Sequence, residues 1–496
     1  MHCRFKHKGF SRLFQPSAAL CRRVYDKQLH NVLSPSWISC KHHVPLPLRS
    51  FAQSSHSEPK TRDGNALLPA SGNDQRSGRP WRHAPGCARP WEISRRAMLF
   101  LKGASAATFA STAVAAACSW QEKSTSQDND AIIVTIPRIS GEPRSIMAPH
   151  STMCAVSSNA KCEDRSIVHI AGKGENSESY FAVYDGHGGW ECAEFAYTML
   201  PVSISSFLPK GEGCKNDDEV ESAISKGFSQ VEERWTEKLK VEWLRNPNYV
   251  TYGPPGSERL SSVGTCVLLA VVHKGVLYIA NAGDSRAVLA QKGFGGGYRA
   301  QRVTTDLNAM NPAEQDRLRR NHPGEVDIVR CRGLYSCYVK GCLQPTYSLG
   351  DAYLKYPHFN NFPGRVIPEP YKPPYIETIP EITARPINNC SPGDFLILAT
   401  DGVWDYLSDQ NAVDLAQRAM TRGENAAAAI VEATLSMAAS RFGINREQLS
   451  ELPMGRQRRL IHDDATVIVV DLWSVSQTQE VPSSSEPSQE PARSKL

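Results

Sequence analysis

The sequence predicts an α+β domain in which two packed β-sheets are flanked by helices, and two patterns carry that prediction. From about Gly141 onward, short apolar runs rich in branched residues recur, each closed by turn residues, as buried strands require. Amphipathic stretches of helical period lie among them. The body is also mildly acidic: residues 142–474 hold 34 Lys/Arg against 40 Asp/Glu, which leaves no basic stripe and argues against nucleic-acid binding.

Taken in order, the first marked strand is "YFAVYDGHGGW", residues 180–190, an apolar run that breaks into Asp185, Gly186, His187, Gly188 and Gly189. Between Asp217 and Lys240 the apolar Val220, Ile224, Phe228, Val231, Trp235 and Leu239 recur at helical spacing behind an acidic first turn. "GTCVLLAVVHKGVLYIANAGDSRAVLA" divides into strands at His273-Lys274-Gly275 and at Gly283-Asp284-Ser285. "GFGGGY", residues 293–298, lacks the Lys-Ser/Thr of a phosphate loop and reads as a hairpin turn. "DFLILATDGVWD" and "DATVIVVDLW" are buried strands; helices are expected at "DQNAVDLAQRAM" and at the Ala-rich "AAAAIVEATLSMAAS".

The ends differ in composition from this domain, which is placed at 142–474. Residues 1–93 read as a basic organelle-targeting presequence and linker: the first 60 residues hold ten Lys/Arg and only Asp26 and Glu58 as acids, a composition shared by transit peptides and disordered basic arms. Residues 94–120 carry a hydrophobic run, with sixteen uncharged positions from Gly103 to Cys118, close to the ~20 that span a bilayer. They are expected to act as a sorting segment or as a membrane anchor over 97–120. A linker, 121–141, leads into the domain. The Ser/Pro/Glu-rich tail, 475–496, is too polar to fold and ends in Ser494, Lys495 and Leu496, a match to the peroxisomal import tripeptide, so its import receptor is an expected partner. Dual targeting, to mitochondria (matrix or intermembrane space) and to peroxisomes, is the joint expectation. The 14 cysteines contain no C-x-x-C pair, which argues against a disulfide framework or zinc knuckle and leaves Cys331, Cys337 and Cys342 as loop cysteines.

Chemistry is expected where strands end. Asp185, Asp284, Asp401 and Asp463 follow apolar runs or precede them, and Glu163-Asp164 sits in "KCEDRS". Any one of these starts a turn as its ordinary job. As a set they would repel one another unless a cation neutralised them, and hard oxygen donors without His or thiolate suit Mg²⁺ or Mn²⁺ rather than zinc.

The order of "EDRS", "FAVYDGHGG", "GTCVLLAVV", "IANAGDSRAVLA", "SLGDAYLK", "DFLILATDGVWDYLS" and "DDATVIVV" resembles the PP2C family of metal-dependent Ser/Thr protein phosphatases over roughly residues 150–474. That resemblance implies a four-layer αββα sandwich of two mainly antiparallel sheets, two Mn²⁺ or Mg²⁺ ions per site with a third weaker ion in some members, and phosphoserine/phosphothreonine proteins as substrates. It makes Asp185 a bridging ligand, with the Gly186 carbonyl, Asp401, Asp463 and Glu163 completing the set, Asp284 and Asp405 at the third position, and Asp164 orienting metal-bound waters. His187 takes the general-acid position. Upstream of Glu163 the family's common phosphate-holding Arg is absent; Asn159 stands instead, as in the pyruvate dehydrogenase phosphatase branch, whose substrate would be the E1 subunit of that complex. "DDAT" and the insert through "YKPPYIETIPEIT" also resemble that branch, whereas Tyr347 and Cys162 depart from common family residues. The competing expectation is a non-catalytic phosphoprotein-binding scaffold on the same fold; loss of a metal carboxylate would mark it, and none is lost.

Overall fold

The computed structural model describes residues 131–479, apart from 138, 173–176, 210–216, 246–259, 294, 334–335 and 361–365. The presequence, the 94–120 segment and the terminal tripeptide lie outside the described residues, among which no helix is long and apolar enough to cross a membrane.

Two sheets form the centre. The first runs in the order β1 (Ile132–Val134), β4 (Arg165–Ala171), β5 (Glu178–His187), β6 (Gly264–His273), β7 (Val276–Ala282) and β13 (Glu381–Pro386), and the short β12 (Leu349–Gly350) also pairs with β6. The second runs β2 (Arg144–Ala148), β3 (Ser151–Val156), β15 (Ala465–Asp471), β14 (Phe395–Ala399), β8 (Arg286–Lys292) and β9 (Tyr298–Arg302). All strand pairings within them are antiparallel.

The strands read as unbroken apolar runs because both faces are covered. With a period of two, alternate residues go to opposite faces. Phe181 and Val183 of β5 meet Ile468 and Val470 of β15 between the sheets. Tyr180, Ala182 and Tyr184 face outward onto helices α1 (Glu191–Phe207) and α2 (Asp217–Arg245). On the far side, Val467 and Val469 pack with Ile397 against helices that follow α3 (Pro312–Asn321) and the single turn α4 (Asp401–Trp404): these are α5 (Asp409–Thr421) and α6 (Ala426–Arg441). Ser408 and Asn425 cap α5 and α6 by accepting from the backbone N–H groups of Asn411 and Ala428. The four-layer αββα architecture is therefore present, and β8 and β9 pair as an antiparallel hairpin.

Three expectations change. The folded body reaches beyond 142–474: β1 pairs with β4, Ile136 is buried, and helix α8 (Leu472–Gln479), which follows the short turn α7 (Arg456–Arg459), places Leu472 and Val475 in the inter-sheet core. A three-residue edge strand is too short for periodicity to reveal. Helix α1 is not among the predicted elements either; Pro201 and its Ser-containing last turns mask it, yet Leu200 and Ile204 are fully buried. Finally, Cys331 and Cys337 form a disulfide. They face each other across the hairpin of β10 (Val329–Cys331) and β11 (Cys337–Val339), so pairing follows from register rather than from a spacing motif. That hairpin belongs to an excursion between β9 and β13 with its own small core of Leu318, Ile328, Val339, Tyr353, Ile367 and Tyr375.

Phe181 is fully buried between the sheets. Phe181→Ala is expected to cost about 3–5 kcal/mol, the range for truncating a large core side chain, read as a lowered urea midpoint at unchanged slope.

Candidate active site

Antiparallel pairing brings the acidic residues to one end of both sheets. In the second sheet β3 and β14 end where β15 and β8 begin, with Val156 opposite Ala465 and Ala399 opposite Arg286. Asp401, Asp463 and Asp284 flank those termini. In the first sheet β5 ends where β4 and β6 begin, with Tyr184 opposite Arg165 and His187 opposite Gly264, which places Asp185, Gly186, His187, Glu163 and Asp164 at the same rim.

Close backbone contacts tie the rim together. A Cβ on Gly186 would drive into the carbonyl oxygen of Glu163, and one on Gly402 into that of Asp464, so the absence of a side chain sets both approaches. Asp464 clamps the loop after β3. Its Oδ1 accepts from the N–H groups of Ser158 (2.7 Å) and Asn159 (3.0 Å), and its Oδ2 from the Glu163 N–H (2.7 Å) and the Asn159 amide (3.1 Å). Burial pushes the Asp464 carboxyl up, but these donors outweigh it and hold it below the usual range. The Asn159 amide, expected at the phosphate, is thus engaged in holding this loop.

Asp164 is buried beneath the rim, where Thr466 Oγ1 (2.7 Å) and Thr400 Oγ1 (3.1 Å) donate to its Oδ2. Burial, followed by the charge of Asp464, still raises it well above a normal carboxyl. Asp185 and Asp401 are also raised well above normal, by burial first and then by neighbouring acids, Asp401 leading for Asp185 and Asp284 for Asp401. Among the described residues neither of these two carboxylates has a hydrogen-bond donor or a cation against it. Burial lifts Glu163 to about 7 and Asp463 to about 6, and in both Arg459 opposes the rise. Asp284 is buried, accepts from Cys266 Sγ (3.3 Å) and Asn308 Nδ2 (3.3 Å), and is raised by burial; Asp405 is raised too, by burial and then by Asp284.

The donor set fits a hard divalent cation: carboxylates and one backbone carbonyl on rigid strand ends, two of the carboxylates unpartnered and all favoured by added positive charge. Among the described residues, however, no group of three or more His, Cys, Asp or Glu side chains stands gathered into a ready coordination set. Arg459 lies within ion-pair distance of Glu163 and Asp463.

His187 is seated by a residue the motif pattern left without a role. Its Nε2 lies 2.7 Å from Asp351 Oδ2, which also accepts from Ser348 Oγ at 2.6 Å. Asp351 adopts a left-handed conformation at φ 51°, uncommon outside glycine. Beside it, the Gly350 N–H donates to Glu232 Oε2 (2.9 Å), and Lys355 pairs with Glu232 at 3.1 Å. Gly264 leaves room for the pair, since a Cβ there would collide with both Asp351 Oδ2 and His187 Nε2. Burial alone would lower the imidazole pKa, but the Asp351 carboxylate reverses this and holds it above the usual value. "SLGD" carried Asp351 in plain view; what the sequence lacks is any sign that its partner lies 164 positions away.

A two-sheet sandwich with an acidic rim and one imidazole held on a carboxylate defines a class, and comparison with known proteins defines the family. The sequence profile of Protein phosphatase 2C matches residues 150–441. Among similar proteins are the probable protein phosphatases 2C 67 and 2C 48 of Arabidopsis thaliana, each 34% identical, over 65% and 66% of this chain and 82% and 81% of theirs. Probable protein phosphatase 2C 78 of Oryza sativa subsp. japonica is 32% identical over 66% of this chain and 79% of its own. A serine-threonine phosphatase 2C from Toxoplasma gondii, of known structure, aligns at a TM-score of 0.46 and 18% identity, covering 68% of this chain and 98% of its own. The chain belongs to the PP2C family of Ser/Thr protein phosphatases. Asp463 and Asp464 lie past the profile match and are joined to it by the pairing of β15 with β3 and β14.

Two outcomes test this geometry. Asp351→Asn is expected to lower the His187 titration midpoint, followed by NMR, and to reduce phosphopeptide turnover by at least about tenfold. Asp464→Asn is expected to destabilise the fold by about 1–3 kcal/mol, since donors now meeting a carboxylate would face a neutral amide; thermal melting checks this.

Proposed function

We propose that this protein is an Mn²⁺- or Mg²⁺-dependent phosphatase of phosphoserine and phosphothreonine proteins, acting without a covalent phosphoenzyme. The observation that carries it is the placement of Asp185, Asp401, Asp463 and Glu163 along one rim, beside an imidazole anchored on Asp351. Glu163, Asp185, the Gly186 carbonyl, Asp401 and Asp463 would hold two ions, and Asp284 with Asp405 a third, weaker one. When bound, such a pair supplies positive charge that lowers the pKa of water and orients it toward phosphorus. Asp164, fixed by two threonine hydroxyls, would accept hydrogen bonds from water at the base of the site. His187, whose pKa the Asp351 carboxylate raises, would donate a proton to the departing Ser or Thr oxygen, a step worth about 10²–10⁴-fold.

Membership of the pyruvate dehydrogenase phosphatase branch, with the phosphorylated E1 subunit as substrate, belongs to the same proposal. Asn159, "DDAT" and the long insert support it, as the basic N-terminus supports mitochondrial delivery and Ser494-Lys495-Leu496 a peroxisomal pool.

The full-length protein, stripped with EDTA, is expected to be inert toward phosphopeptides and to regain turnover with Mn²⁺ or Mg²⁺. Asp401→Asn is expected to lose nearly all of that turnover while melting as a folded protein. A folded wild-type protein that stays inert with either metal and several phosphopeptides would favour the scaffold instead.

A further inference from the structure

Glu163 precedes the first strand of one hairpin in the first sheet, and Asp463 precedes β15 of the second, so nothing in the backbone ladder holds their carboxylates together. Arg459 does. Its Nη1 lies 2.7 Å from Asp463 Oδ1 and 3.6 Å from Glu163 Oε2. Neighbouring cations are committed elsewhere: Arg458 turns inward to the Gly141 carbonyl and to His462, Arg165 pairs with Glu194 at 2.5 Å, and Lys161 lies over the Trp190 ring at 5.7 Å. Among the described residues Arg459 is the one cation within ion-pair distance of Glu163 or Asp463. Its side chain is 42% exposed and rises from the four-residue turn α7, so it can withdraw into water without unpacking anything.

We propose that Arg459 is a built-in counter-cation: in the metal-free protein its guanidinium takes the charge of Glu163 and Asp463, and it competes with divalent ions for those oxygens. This rests on the proposal that Glu163 and Asp463 are metal ligands. An arginine that instead pre-positioned the two carboxylates would help a metal to bind, so the sign of the effect separates the two roles. In the metal-free protein Arg459 spares the rim the repulsion between two sheet termini; in the loaded protein it is one positive charge too many.

The test is calorimetric titration of the EDTA-stripped full-length chain with Mn²⁺, with melting curves before and after. Arg459→Gln is expected to melt below the wild type without metal, to gain more on loading, and to bind Mn²⁺ about two- to fivefold more tightly, the scale of a partly exposed ion pair. Arg459→Lys keeps the charge and is expected to bind within about twofold of the wild type. Equal or weaker binding by R459Q, with the wild type binding normally, overturns the inference and leaves the metal site standing. A wild type that binds no Mn²⁺ overturns both. Should R459Q not fold, a crystal structure of the Mg²⁺-loaded wild type decides: a guanidinium still on both carboxylates overturns the inference, and one turned to solvent supports it.

Discussion

The dominant constraint in this molecule is the cost of crowding carboxylates at one rim where water is scarce. Burial and mutual repulsion both favour the neutral acids, and added positive charge opposes both. Several of the acids are relieved locally, most fully Asp464 and Asp164. Asp464 accepts six hydrogen bonds and Asp164 two from hydroxyls, and both are among the most buried acids at the rim. Asp185 and Asp401 have no such relief, and the rigidity of β5 and of the β14–α4 corner holds them there.

That rigidity comes from layering. Each central strand contributes residues to two cores at once, one between the sheets and one beneath the helices, so a shift of any strand end would disturb both. The acids therefore stand on the least movable part of the fold, whereas the cation that approaches them, Arg459, stands on a surface turn. Glycine does the fine adjustment: positions 186, 264 and 402 let backbones or paired side chains come closer than any Cβ would permit.

Much of this was legible in the sequence. The strand breaks at His273-Lys274-Gly275 and Gly283-Asp284-Ser285 fall where β6, β7 and β8 divide, because turn residues punctuate long apolar runs clearly. The helix behind Asp217 followed from its spacing alone. Helix α1, strand β1 and the Cys331–Cys337 bond did not show, since a proline inside a helix, a three-residue edge strand and a register contact leave little periodic trace. At the site, residue types announced themselves and partnerships did not. Asp351 and Arg459 take their meaning from residues far away in sequence, and the adjacent pair Asp463-Asp464 divides its labour in a way that only the hydrogen bonds disclose: one faces the rim, the other ties down a loop.

The pairing of β12 with β6 has one more result. Leu349 and Gly350 dock on Thr265 and Gly264, so the carboxylate that seats the imidazole is fixed to the central sheet partway through the excursion. Ser348, the last residue before the docking point, joins this seat by donating its Oγ to Asp351 Oδ2, whereas the β10–β11 hairpin packs into the small core of the excursion itself. Loop closure grows only slowly costlier with length, so that hairpin is open to insertion, deletion and exchange, a place where related chains can diversify their surfaces while the contact of Asp351 with His187 stays the same.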